Sequence, residues 1–299
     1  MSEDSNKKEK SVSYSQYKMW MSCPHHFYLD YVLGKRVYED SIHTAFGTSI
    51  HEPLQLYIKT LYTESAVKAD EIDLYQMFKK RFEEILKEKN VKYTDDELTD
   101  FTFDGEDIIK EFTKSINRMK HFPSNKYEFV GIEEELKIPL REGINFIGYI
   151  DLILKEKMTG KYKIFDFKTS SQGWNEYQKA DEKLYSQVLL YKALYSKKYN
   201  VPINMIDVEF FILKRKLLEN VNFPQSRLQI FKPQDKSKQI ANTLNGFAEF
   251  VNSCFNSDGS HITDINNYPK IPGNYKKNCK YCIHKKVSCD AKPTFKDDE

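Results

Sequence analysis

The 299-residue sequence predicts an α/β fold: a mixed β-sheet flanked by helices, with a helical elaboration before it and a cysteine-bearing tail after it. Three observations predict this. Residues 13–126 carry apolar positions mostly at helical spacing. From Tyr127 the pattern changes to short alternating or continuous apolar runs broken by turn residues. One of these runs, 161–168, is followed by a helical segment and then another strand, which is the signature of a right-handed parallel crossover.

The elements follow in order. The opening MSEDSNKKEK is polar and charged and reads as a mobile tail; lacking an apolar h-region, it reads as no secretory signal. Ser13 or Ser15 caps a short aromatic-rich helix that Pro24 interrupts. A helix over 46–64, opened by Gly47-Thr48, shows an apolar stripe of Ile50, Leu54, Tyr57, Ile58 and Leu61. Residues 71–89 and about 104–120 are amphipathic helices, with the polar stretch Asn90 to Asp100 as a loop. Strands are expected over 127–140 and 144–155, joined by the turn Arg141-Glu142-Gly143, and over 161–168 after Met158-Thr159-Gly160. Glu182 to Tyr199 is helical. Asp207 to Lys214 and Arg227 to Lys232 are strands, and 235–254 is a last long helix. The expected organisation is a disordered tail at 1–12, an N-terminal helical region at 13–126 carrying Cys23 and His51, a core at 127–232, and a C-terminal helix and cysteine segment at 233–299. No run of apolar residues is long enough to cross a bilayer, so a cytoplasmic protein of a bacterium or a phage-infected cell is expected.

The chemistry is concentrated in two strands. Asp151 follows Gly148-Tyr149-Ile150 inside an apolar run, and Asp166 lies within Ile164-Phe165-Asp166-Phe167-Lys168. A carboxylate in such a setting is costly to bury unpaired. Two in neighbouring strands repel unless a cation lies between them. Lys168, two residues beyond Asp166, points to the same side of an extended chain. Two carboxylates and an ammonium at strand ends suit a hard divalent cation with a water beside it, the chemistry of phosphodiester cleavage.

These residues resemble the PD-(D/E)XK nuclease superfamily in its Asp-x-Lys form, with a restriction-endonuclease-like core. The chain is similar to the RecB-like branch, which includes the AddB nuclease domain and the CRISPR adaptation-associated nucleases. Gly47-Thr48-Ser49-Ile50-His51 resembles the branch's histidine motif. Gln187 and Tyr191 match its Gln-x-x-x-Tyr helix motif, and Ser13-Tyr14-Ser15 with Cys23-Pro24 and Phe27 its N-terminal element. The resemblance covers residues 13–289. It implies a Mg²⁺- or Mn²⁺-dependent deoxyribonuclease, an exonuclease on DNA ends or single strands in recombination, repair or phage DNA processing. His51, Asp151, Asp166 and the carbonyl of Phe167 are the implied metal ligands, and Asp151, Asp166, Lys168, Gln187 and Tyr191 the implied catalytic set. The branch often carries a further glutamate one strand earlier; of Glu133, Glu134 and Glu135, alternation favours Glu135.

Cys279, Cys282 and Cys289 supply three soft ligands at close spacing, with Cys23 as a fourth from the other end of the chain. Such a set binds zinc, with His284 or Cys23 completing it, or an iron–sulfur cluster. The resemblance implies a [4Fe–4S] cluster. Cys254, at the apolar end of a helix, reads as a buried thiol. The net charge of +2 is uninformative, but six lysines and no acid lie between Lys270 and Cys289. Lys276, Lys277 and Tyr281 there are candidate DNA contacts, the aromatic ring stacking on unpaired bases. Lys214-Arg215-Lys216 is a second basic cluster. The contrasting expectation is a non-catalytic DNA-binding module with a structural metal cluster. With no phosphate-binding Gly-x-x-x-x-Gly-Lys-Ser/Thr loop, a helicase would be a separate partner.

Overall fold

The computed structural model describes residues 9–37, 40–285 and 287–290. Its centre is a five-stranded sheet in the order β2-β5-β6-β7-β8, formed by Tyr127–Glu135, Tyr149–Glu156, Tyr162–Ser170, Ile206–Lys214 and Leu228–Phe231. Only β6 and β7 run parallel; β2, β5 and β6 are antiparallel neighbours, as are β7 and β8. The crossover from β6 to β7 passes through α8 (Glu176–Ala180) and α9 (Glu182–Tyr199). The expected mixed sheet is therefore present, with its parallel pair where the crossover required it.

Helices cover both faces. On one, α1 (Tyr14–Ser22), α9 and α10 (Ser237–Cys254) bury Tyr17, Val188, Leu189, Phe247 and Phe250 against Ile153, Ile164, Val208 and Phe210. On the other, α3 (Ile42–Thr63), α5 (Leu74–Glu88) and α6 (Asp95–Thr113) bury Phe46, Leu54, Phe78, Phe82 and Ile108 against Leu152, Leu154, Phe165, Phe167 and Phe211. Short helices α2 (Pro24–Phe27), α4 (Ala66–Asp70) and α7 (Ser115–His121) fill the connections. Along β6, Ile164 faces the first layer and Phe165 and Phe167 the second, so strand alternation sends Asp166 and Lys168 toward the first.

Several boundaries differ from expectation for local reasons. Helix α3 begins at Ile42, because Ser41 and Thr44 form a reciprocal capping box; Gly47-Thr48 lies inside the helix. A Cβ at Gly47 would come 3.0 Å from Thr169 Oγ1, so this glycine lets α3 approach β6. Helix α6 begins at Asp95, within the stretch expected to be a loop. Thr94 caps it with Glu97, and three acids in the first turn favour the positive end of the helix dipole. The strands expected over 127–140 and 144–155 each divide, giving β3 (Ile138–Arg141) and β4 (Ile144–Phe146) around the anticipated turn. Lys10–Val12 of the expected tail forms β1, parallel to β4, completing a small sheet β1-β4-β3. No helix among the described residues is long and apolar enough to cross a membrane.

Candidate active site

The sheet register sets three carboxylates side by side. Ile132 pairs with Leu152 and Glu134 with Ile150, so Glu133 on β2 lies opposite Asp151 on β5. Leu152 pairs with Phe165, which puts Asp151 opposite Asp166 on β6. Like charges directly opposite one another are destabilising. Glu133 is thus the acid that joins the pair, and the expectation of Glu135 fails. Alternation sets Glu133 and Glu135 on the same face and does not choose between them; the pairing with β5 does, and Glu133, at φ +46°, is the one opposite Asp151. Glu135 instead accepts from the Tyr149 hydroxyl at 3.4 Å.

Helix α3 supplies the next two groups, His51 and Gln55, one turn apart on one face. Gln55, buried, donates to Glu133 Oε1 at 2.6 Å and to the Asp151 carbonyl at 3.3 Å. The His51 ring meets Phe167 edge-on at 6.0 Å. Its Nε2 is buried without a hydrogen-bond partner among the described residues. Burial and the nearby Lys168 ammonium push the His51 imidazole down to about 4. It is therefore neutral at physiological pH, with a lone pair available.

Helix α9 completes the other side. Lys168 Nζ lies 2.6 Å from Asp166 Oδ2 and donates to Gln187 Oε1 at 2.9 Å. Gln187 Nε2 reaches the Tyr191 hydroxyl at 3.2 Å. Gly148 keeps this packing close, since a Cβ there would sit 3.0 Å from the Tyr191 ring. Asp151 accepts a short 2.5 Å hydrogen bond from the Phe167 amide. Its carboxyl is held well above the ordinary range, first by burial and then by Asp166. Asp166, 2% exposed, is raised by burial despite Lys168. A dication would relieve both acids and give the orphaned His51 Nε2 a partner, so the donor set fits a hard divalent metal. All the site residues expected from sequence, His51, Asp151, Asp166, Phe167, Lys168, Gln187 and Tyr191, thus meet in one region, and Glu133 and Gln55 join them. Past Lys168, β6 runs into a polar cleft of about 590 Å³ bounded by Ser170, Gln172, Trp174, Lys214 and Lys216.

The thiols also converge. Cys282 is raised by burial and by the proximity of Cys279, Cys23 and Cys289, while the His284 amide hydrogen-bonds to its sulfur. The Ile271 amide donates to Cys23 Sγ at 3.4 Å. His284 itself is turned away to Asp30, with Nε2 2.6 Å from Oδ1. Cys254 is buried, as expected. Tyr281 is 84% exposed with Lys280 over its ring at 5.1 Å. Lys277 is exposed, and the Lys276 side chain lies outside the described residues. In the second basic cluster, Lys214 and Lys216 line the cleft, while Arg215 is buried, pairs with Asp104 at 3.0 Å and stacks on Phe101 at 3.7 Å.

A family model described as the PD-(D/E)XK nuclease superfamily matches residues 11–289. No curated protein matches the chain. Among solved structures, one of a candidate exonuclease from Eubacterium rectale is similar, with a TM-score of 0.47 and 16% identity over 82% of this chain and 79% of that chain. Another, of SSO0001, has a TM-score of 0.31 and 14% identity over 94% and 97% of the two chains.

Proposed function

Because the chain belongs to the PD-(D/E)XK nuclease superfamily, we propose that it is a metal-dependent deoxyribonuclease, an exonuclease of the RecB-like kind acting on DNA ends or single strands during recombination, repair or phage DNA processing. The observation that carries this reading is the row Glu133, Asp151 and Asp166 beside the unpartnered His51 Nε2. Such a row is tolerable when a cation neutralises it.

His51, Asp151, Asp166 and the Phe167 carbonyl would hold Mg²⁺ or Mn²⁺, which supplies Lewis acidity toward a phosphoryl oxygen and lowers the pKa of a bound water. Lys168, fixed between Asp166 and Gln187, orients the attacking water and meets the charge on the phosphate. Tyr191 holds Gln187 in place for that task. Gln55 ties Glu133 to the Asp151 backbone and so keeps the first acid beside the second.

Cys23, Cys279, Cys282 and Cys289 would hold a [4Fe–4S] cluster, with structural zinc as the alternative. The support is the all-thiolate donor set with backbone amides directed at two of its sulfurs. Lys276, Lys277 and Tyr281 remain the proposed DNA contacts on that segment, and a helicase, where one takes part, would be a separate protein. The test is cleavage of labelled single- and double-stranded DNA with Mg²⁺, Mn²⁺ or chelator. Metal-dependent shortening from an end is the expected result. Binding without cleavage under all of these conditions would favour a DNA-binding module.

A further inference from the structure

Among the described residues, a further set of ligand-type side chains meets away from the acid row. His26 on α2 and Asp30 in the turn after it are four residues apart and share a face. That turn, Tyr28–Val32, is π-helical: the Leu33 amide bonds the Tyr28 carbonyl, five residues back, at 2.9 Å. Single π turns within helical segments are frequent at functional sites. His284 arrives from the other end of the chain. Its amide hydrogen-bonds to the Cys282 sulfur, and its carbonyl accepts from the Cys289 amide at 3.0 Å. The thiol loop thus fixes the His284 backbone while the ring turns to Asp30.

The three side chains close on one point. His284 Nε2 lies 2.6 Å from Asp30 Oδ1, and His26 Nε2 lies 3.6 Å from Asp30 Oδ2. The two imidazoles meet edge to face, with 5.3 Å between their centroids. One ligand atom from each residue lies within 4.8 Å of the other two. The Asp30 and His284 side chains are 3% and 6% exposed, whereas His26 keeps 23%, which leaves a way in from solvent. Among the described residues no lysine or arginine pairs with Asp30; its partners are the two imidazoles. A buried carboxylate with no fixed cation is costly. Two imidazole nitrogens and a carboxylate oxygen make a three-ligand zinc set with a fourth position for water.

We propose that His26, Asp30 and His284 bind a zinc ion, separate from both the acid row and the thiols. Imidazole suits zinc, manganese stands lowest in the divalent series, and magnesium takes oxygen ligands, so the cations suited to the acid row are poor ones here. Zinc replaces the proton shared by His284 Nε2 and Asp30 Oδ1, which is released to water, and the pair opens to admit bonds of about 2.0–2.2 Å. The ion joins residues 254 apart in the chain and clasps α2 to the C-terminal segment without drawing on a thiol. The site stands whether or not the chain cuts DNA.

The test uses full-length Asp166→Asn as the parent, which weakens the acid row, and the same protein with His26→Gln added. Both are equilibrated across a series of free Zn²⁺ set by a chelator buffer, and zinc content and melting temperature are read. Zinc on the thiols is common to the two proteins and cancels in their difference. The parent should take up one zinc that the His26→Gln protein lacks. Half-saturation should move to roughly 100-fold higher free Zn²⁺ or beyond, since losing a ligand costs more than losing a partner that supports one. Zinc should raise the melting temperature of the parent and leave that of the His26→Gln protein nearly unmoved. His26 is the partly exposed member, so its replacement spares the fold; Asp30→Asn, of nearly the same shape, should lose the same zinc. Equal zinc content and equal zinc-dependent melting in parent and variants overturn the site and leave His284 and Asp30 as a hydrogen-bonded pair of the fold.

Discussion

At the residue scale, the chemistry turns on acids placed where acids are costly. Asp151 and Asp166 both titrate from 3.8 when unperturbed, and the fold raises both. Without a cation the folded chain holds protons that the unfolded chain has released. The stability this contributes is complete below 3.8 and is lost as pH rises through the raised folded values. His51 works oppositely. Its value falls from 6.5 to about 4, so stability lost on acidification returns between those limits and is level above 6.5. The metal-free melting temperature should therefore decline as pH rises through the raised values of the two acids. Mn²⁺ should restore about 2.7 kcal/mol at a hundred times its Kd. Asp166→Asn should flatten the decline and abolish the Mn²⁺ response; calorimetry over a pH series reads both. For catalysis, Asp166→Ala and Lys168→Ala should each lower cleavage by roughly 10²–10⁴-fold while oligonucleotide binding persists. Asp151, Asp166 and Lys168 are legible in the sequence because strand alternation is a local rule that needs no partner. Glu133 is not, because alternation sets it on the same face as Glu135 and only the pairing with β5 tells the two apart.

At the scale of elements, α3 and α9 present the site and β6 carries it. Gln187 and Tyr191 were readable because helical spacing is as local as strand alternation. The start of α3 was misplaced because Gly47-Thr48 looks like a beginning, whereas the Ser41–Thr44 capping box supplies the real one. Gly47 serves instead as a contact between layers. In Gly47→Val the added methyls meet Thr169, and α3 must retreat from β6. His51 lies one turn along the same helix, so a shift of about 1 Å should reduce turnover on the order of 10²-fold. Far-ultraviolet circular dichroism should stay close to that of the wild type while the cleavage rate falls.

Across the whole molecule, the fold class was legible because the hydrophobic period changes from helical to strand-like near Tyr127, and the crossover from β6 to β7 then follows the handedness rule. The meeting of the two ends was legible only as a count of cysteines. The structure adds ordinary bonds to it: Asn278 donates to the Ser22 carbonyl at 2.9 Å, and the His25 amide to the Pro269 carbonyl at 3.3 Å. Purified anaerobically, the protein should be brown. Cys282→Ser should bleach it and lower the melting temperature before it changes cleavage per folded molecule, as read by visible absorption alongside calorimetry. Stoichiometric zinc in a colourless preparation would assign the thiols to zinc.

The seam between Cys23 and Cys289 has a further implication for how the protein comes into being. The segment that grips the end of helix α1, Pro269 to Cys289, is made long after the helix itself. Until that segment has emerged from the ribosome, the far end of α1 lacks these two hydrogen bonds. The first helix thus takes its final hold only after every strand of the central sheet has been made.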